Sequence, residues 1–134
     1  MIKSILTKFL VTGTVIGLLA ISPIAEALAK NPDVQLTKND MWANGNDHNC
    51  QQIAVYGNVS SKSKKKVSFV IEYRGNDSCW HYDKWYGPYS AGTNVPTLNS
   101  SYMSKCDMRL QLNPYGTGDS GKGGVATGYV NVVK

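Results

Sequence analysis

Residues 105–112 read Lys-Cys-Asp-Met-Arg-Leu-Gln-Leu, and every second side chain is apolar. Successive side chains of an extended chain point to opposite faces, so Cys106, Met108, Leu110 and Leu112 share one face, opposite Lys105, Asp107, Arg109 and Gln111. The same alternation recurs on both sides of this stretch. In Gln51–Val59 the odd positions Ile53, Val55 and Val59 are apolar, and in Val67–Tyr73 so are Val67, Phe69, Ile71 and Tyr73. Val125–Val133 is a fourth such run, and shorter strands are expected at Val34–Thr37, Trp80–Tyr86 and around Ser101–Met103. No window after residue 30 keeps apolar residues at helical spacing. The pattern predicts an all-β domain of about six or seven strands: a small antiparallel β-sandwich, Ig-like or Greek-key, or alternatively a small β-barrel. Gln51–Val59 and Val67–Tyr73 are expected to pair as a hairpin, Lys105–Leu112 to pair with Val125–Val133, and Ser90–Ser100, with Pro96, to carry a strand from one sheet to the other.

The amino-terminal segment is of a different kind. Lys3 and Lys8 form a positive start, Phe9–Ile21 is uncharged, and Pro23 precedes Ala25, Ala27 and Ala29, the order of a secretory signal peptide of bacterial type. An apolar run of about a dozen residues falls short of the roughly 20 that a spanning helix requires. Residues 1–29 are thus expected to be removed, leaving 30–134 as one secreted, extracellular domain without a transmembrane segment. The chain of 134 residues has 42% hydrophobic content, ordinary for a globular domain and too low for a polytopic membrane protein. Without residues 1–29 it carries twelve Lys and Arg against eight Asp and Glu. The excess lies in Lys62, Lys64, Lys65 and Lys66, and the remainder is balanced.

The three cysteines, Cys50, Cys79 and Cys106, all lie in the exported part, where an intramolecular disulfide is expected. Cys106 has the apolar parity of its strand and Cys79 adjoins Trp80, which favours Cys79 to Cys106, worth roughly 3–4 kcal/mol by loop closure. The cysteine left over is then either a buried thiol or the link of a disulfide-bonded dimer. No two cysteines are two to four residues apart, and His48 and His81 are isolated, so no metal or cofactor is expected.

Several short motifs are weaker than they look. Gly116–Lys122 fits G-x-x-x-x-G-K, but Gly123 stands where a hydroxyl would hold magnesium and a strand follows instead of a helix. Gly118-Asp119-Ser120-Gly121 resembles the nucleophile segment of chymotrypsin-like proteases over four residues, in a chain about half the length of those enzymes. Asn44–Asn49 lacks the alternating acidic ligands of a calcium loop and reads as a turn. His81 and Asp83 share a parity and make a candidate acid/base pair or a plain surface hydrogen bond. No nucleophile, base and orienting group can be set together, so an enzyme is not expected.

Two features point to binding. Trp80, Tyr82, Trp85, Tyr86 and Tyr89 fall within ten residues, with Trp80, Tyr82 and Tyr86 on one parity and Trp85 and Tyr89 on the other. One core cannot take both sets from one face, and exposed Trp and Tyr suit sugar rings, a lipid interface or a protein partner. Lys62, Lys64, Lys65 and Lys66 would attract an anionic polymer or lipid, or simply keep a hairpin tip solvated. Nucleic acid is not an expected partner, since no recognition module is visible. Size, export and aromatic content are those of small secreted β-sandwich bacteriocins, an analogy without a shared motif. The expectation is a secreted, cationic, non-enzymatic β protein that binds the bacterial cell envelope (anionic polymer, lipid or glycan), in a bacteriocin-like, antimicrobial role. The alternative is a secreted protein-binding module such as a hydrolase or protease inhibitor.

Overall fold

A computed structural model describes residues 30–114 and 121–134. The signal segment 1–29, and the part of both loop motifs that falls in 115–120, lie outside the described residues. Pro32–Lys134 forms one compact unit. Its strands are β1 (Val34–Leu36), β2 (Ala43–Asn44), β3 (His48–Cys50), β4 (Ile53–Val59), β5 (Val67–Arg74), β6 (Trp80–Tyr89), β7 (Asn94–Asn99), β8 (Cys106–Asn113) and β9 (Ala126–Val132). They form two antiparallel sheets. One has the order β1-β9-β4-β7, the other β2-β8-β5-β6, with β3 also paired to β8. The inward residues of alternating strands meet between the sheets: Val55 and Val130 from the first, Phe69, Ile71, Met108 and Leu110 from the second. Burying a side chain of this size contributes about 2 kcal/mol.

The nine described strands exceed the expected six or seven. β2 and β3 lie in an Asn-rich stretch whose pairing comes from backbone register with β8 rather than from apolar alternation. β7 contains Pro96, which an edge strand tolerates because one side of it needs no donor. Ser101–Met103 forms no strand.

Both expected pairings are corrected. β4 and β5 do not form a hairpin; they belong to different sheets, and residues 60–66 carry the chain across. β9 pairs with β4 and β1, not with β8. A strand facing another across the core and a strand hydrogen-bonded beside it bury the same parity of residues, so alternation cannot separate the two cases. The change of sheet expected in Ser90–Ser100 does occur, between β6 and β7.

All three cysteines are thiols in this structure. The expected pair is not adjacent: β5 lies between β8, which begins at Cys106, and β6, which begins one residue after Cys79. Two strand spacings amount to roughly 10 Å between Cα atoms, too far for a disulfide. The residue directly opposite Cys106 is Cys50 on β3.

Candidate functional site

At one end of the sandwich, residues 60–66 make a turn in which Ser63 N–H donates to the Ser60 carbonyl at 3.0 Å and Lys62 N–H to Ser60 Oγ at 3.1 Å. Ser63 Oγ donates to the Lys65 carbonyl at 2.6 Å and accepts from Val125 N–H at 3.0 Å. Two backbone bonds lace this turn to its neighbours: Lys64 N–H donates to the Gly123 carbonyl and Gly123 N–H to the Lys38 carbonyl, both at 2.9 Å. Gly123 has φ +117°, and a Cβ there would press on the Lys65 stem at 3.3 Å, so both the backbone conformation and the space call for glycine.

Lacing these segments brings four lysines together. Lys38, Lys62, Lys64 and Lys122 line a cavity of about 500 Å³ with Asn39, Gly123 and Val125. No carboxylate lines it among the described residues, and none makes an ion pair with these four ammonium groups. Like charges gathered around one cavity repel, a cost that an anion entering it would reverse. The nearby Asp40 carboxylate is engaged elsewhere: it accepts from Thr37 N–H and Thr37 Oγ1, both at 2.9 Å, and those two bonds hold it below the usual carboxylate range.

Of the four lysines expected from the sequence, Lys62 and Lys64 line the cavity, Lys66 is exposed beside it, and Lys65 is half-buried with its stem over Gly123. Lys38 and Lys122 were not legible as partners, because they stand 24 and 60 residues from Lys62 and only the lacing joins them.

The aromatic segment is divided by the sheet. Register shifts between Ile71 and Glu72 and between Val67 and Phe69 alter the parity along β6. Trp80, Tyr82 and Trp85 stand opposite Arg74, Glu72 and Val70, on the outer face. Tyr82 and Trp85 are exposed and meet edge to face at 5.2 Å. Trp80 is half-buried beneath two guanidinium groups, Arg109 at 3.9 Å and Arg74 at 4.6 Å from its ring centre. Arg109 Nε donates to the buried Glu72 carboxylate at 2.8 Å, and Arg74 reaches Asp47 and Asp107 at 3.0 Å. Tyr86 and Tyr89 instead pack against the core: Tyr86 OH donates to the Asn99 carbonyl at 2.7 Å, and Tyr89 meets Phe69 edge to face at 6.0 Å. Trp42, exposed just ahead of β2, is a further aromatic surface residue that the dense run at 80–89 obscured.

His81 and Asp83 do not pair. His81 Nε2 meets Asp77 at 2.6 Å, whereas Asp83 accepts from Ser101 N–H at 2.8 Å. The segment 44–49 is a turn-and-strand piece held by Asp33, whose carboxylate takes His48 Nε2 at 2.9 Å and Asn46 N–H at 3.1 Å. Among the described residues no three His, Cys, Asp or Glu side chains are grouped to hold a metal, and no helix is long and apolar enough to cross a membrane. Compared with known proteins, the chain matches no family model, no curated sequence and no solved structure.

Proposed function

We propose that this is a secreted, cationic, non-enzymatic β-sandwich protein that binds the anionic polymers of a bacterial cell envelope. The observation that carries this reading is the convergence of Lys38, Lys62, Lys64 and Lys122, from three chain segments, on one cavity. A repeating phosphate polymer or anionic headgroup offers charge that fits such a cluster, at about 1 kcal/mol per lysine near a charged surface. Tyr82 and Trp85 add an exposed aromatic surface on the second sheet, suited to the sugar or lipid part of an envelope. Inhibition of the bound cells is the bacteriocin-like extension of this reading.

The test is co-sedimentation of the protein with intact Gram-positive cells at low and high salt, with viable counts on the same samples. Binding that weakens with salt and is lost on replacing the four cavity lysines by Gln is the expected result; a fourfold variant that sediments like the wild type at low salt would overturn the electrostatic reading. The second reading, a secreted protein-binding module such as a hydrolase inhibitor, is favoured by the exposed, edge-to-face pair Tyr82 and Trp85. It predicts a saturable, salt-tolerant complex weakened by Trp85→Ala and indifferent to the lysines.

A further inference from the structure

Cys50 and Cys106 are Cα partners in the antiparallel register of β3 and β8, with Asn49 opposite Asp107 and His48 opposite Met108. Directly opposed residues of such a pair have Cα atoms about 4.5–5.5 Å apart, inside the range that a disulfide spans. The two side chains also share a face. Asn49 Nδ2 and Asp107 Oδ1 meet at 2.9 Å on the other side of the ladder, so Cys50 and Cys106 both turn toward the core, which Cys50 joins and Cys106 packs against. Cys79 is exposed and separated from Cys106 by β5.

We infer that Cys50 and Cys106 are the pair that oxidises to an intramolecular disulfide, leaving Cys79 as the accessible thiol. Oxidation gives up the 3.3 Å donation from the Cys50 thiol to the His48 carbonyl. Burial pushes both thiols up, and for Cys106 the adjacent Cys50 adds to it, in keeping with two neutral thiols set side by side.

The oxidant is a low-molecular-weight disulfide such as oxidised glutathione. Cys106, the more exposed of the two, attacks it as the thiolate, forming a mixed disulfide and releasing one glutathione thiolate. Cys50 loses its proton and attacks the Cys106 sulfur; the Cys50–Cys106 bond forms as the second glutathione leaves. Two protein thiols are oxidised, one small disulfide is reduced to two thiols, and the two protons end on the released glutathione.

Trypsin separates the three cysteines, because Lys38 and Lys62 bracket Cys50, Arg74 and Lys84 bracket Cys79, and Lys105 and Arg109 bracket Cys106. The full chain is oxidised in native buffer with oxidised glutathione, labelled with a maleimide and digested without reduction. The expected result is peptide 39–62 joined to peptide 106–109, with the label on 75–84. A Cys79→Ser variant should form the same bridge and expose no reactive thiol even in guanidinium. The inference is overturned if the monomer links 75–84 to either other peptide as its main product, if the Cys79→Ser variant keeps both thiols, or if the native chain gives the same mixture of linkages as the denatured one.

Discussion

Replacing Arg109 by Met isolates the contact on which the outer face of the second sheet depends. Arg109 gives its Nε–H to Glu72 at 2.8 Å and lays its guanidinium 3.9 Å over Trp80. Their side chains are 17% and 6% exposed, so Glu72 is the desolvated member, and Met would leave its carboxylate without a cation. Breaking a buried pair in this way costs about 3–5 kcal/mol, against at most about 1 kcal/mol for an exposed pair. With Arg109 partly solvated, the lower end applies, about 3 kcal/mol. In a domain of about 100 residues that lowers Tm by roughly 12–20 °C. Urea unfolding followed by tryptophan fluorescence measures it, and the double variant Glu72→Leu with Arg109→Met should recover most of the loss, since an apolar pair of similar volume carries no desolvation cost. A single variant within about 1 kcal/mol of wild type, or a double variant as unstable as the single, would refute the argument.

Three further outcomes follow from the geometry. A Cβ at Gly57 would overlap the Thr127 carbonyl oxygen and approach Phe69 at 3.1 Å, so Gly57→Ala should cost at least about 2 kcal/mol, while Gly75→Ala, with open space around it, should stay within about 0.5 kcal/mol; equal midpoints in urea would contradict this. The Cys79 N–H and then His81 hold Asp77 below the usual carboxylate range, and the Asn49 amide and then Arg74 do the same for Asp107. A depressed folded-state value means that the unfolded chain takes protons first, so this stabilisation is complete above about pH 4 and is lost as pH falls through the folded values; unfolding midpoints measured from pH 6 downward should decline below about pH 4, and less so in Asp107→Asn. Once Cys50 and Cys106 are joined, the bridge encloses about 57 residues, and reduction should lower stability by about 4 kcal/mol on the loop-entropy estimate, whereas an unchanged Tm on adding a reductant would count against a bridge that stabilises.

Alternation in the sequence located the inward residues well: Ile53, Val55 and Val59, Val67, Phe69 and Ile71, and Met108, Leu110 and Leu112 are all buried. It was silent on which strands are bonded neighbours and which face each other, and it misjudged the 51–73 and 105–133 pairs for that reason. Parity also failed along β6, because one register shift turns Trp85 outward and Tyr86 inward and a second turns Tyr89 inward, and a bulge leaves no trace in hydrophobicity. The short strands β2 and β3 were hidden because Asp33, through His48 and Asn46, organises a polar segment that carries no apolar pattern. At the candidate site, Lys62 and Lys64 stood out as a local run, but Lys38 and Lys122 become their neighbours only through backbone bonds to Gly123. That Cys50 faces Cys106 was likewise a matter of register, which spacing along the chain does not encode.

The most direct test of the central claim is a calorimetric titration of the full chain with purified lipoteichoic acid over a series of salt concentrations, using wild type and the variant Lys38→Gln, Lys62→Gln, Lys64→Gln, Lys122→Gln. The account predicts an affinity that falls steadily with salt and, at low salt, a loss in the variant of up to about 1000-fold, the equivalent of about 1 kcal/mol per lysine. Affinity that ignores salt, or a variant that binds like the wild type, would contradict it.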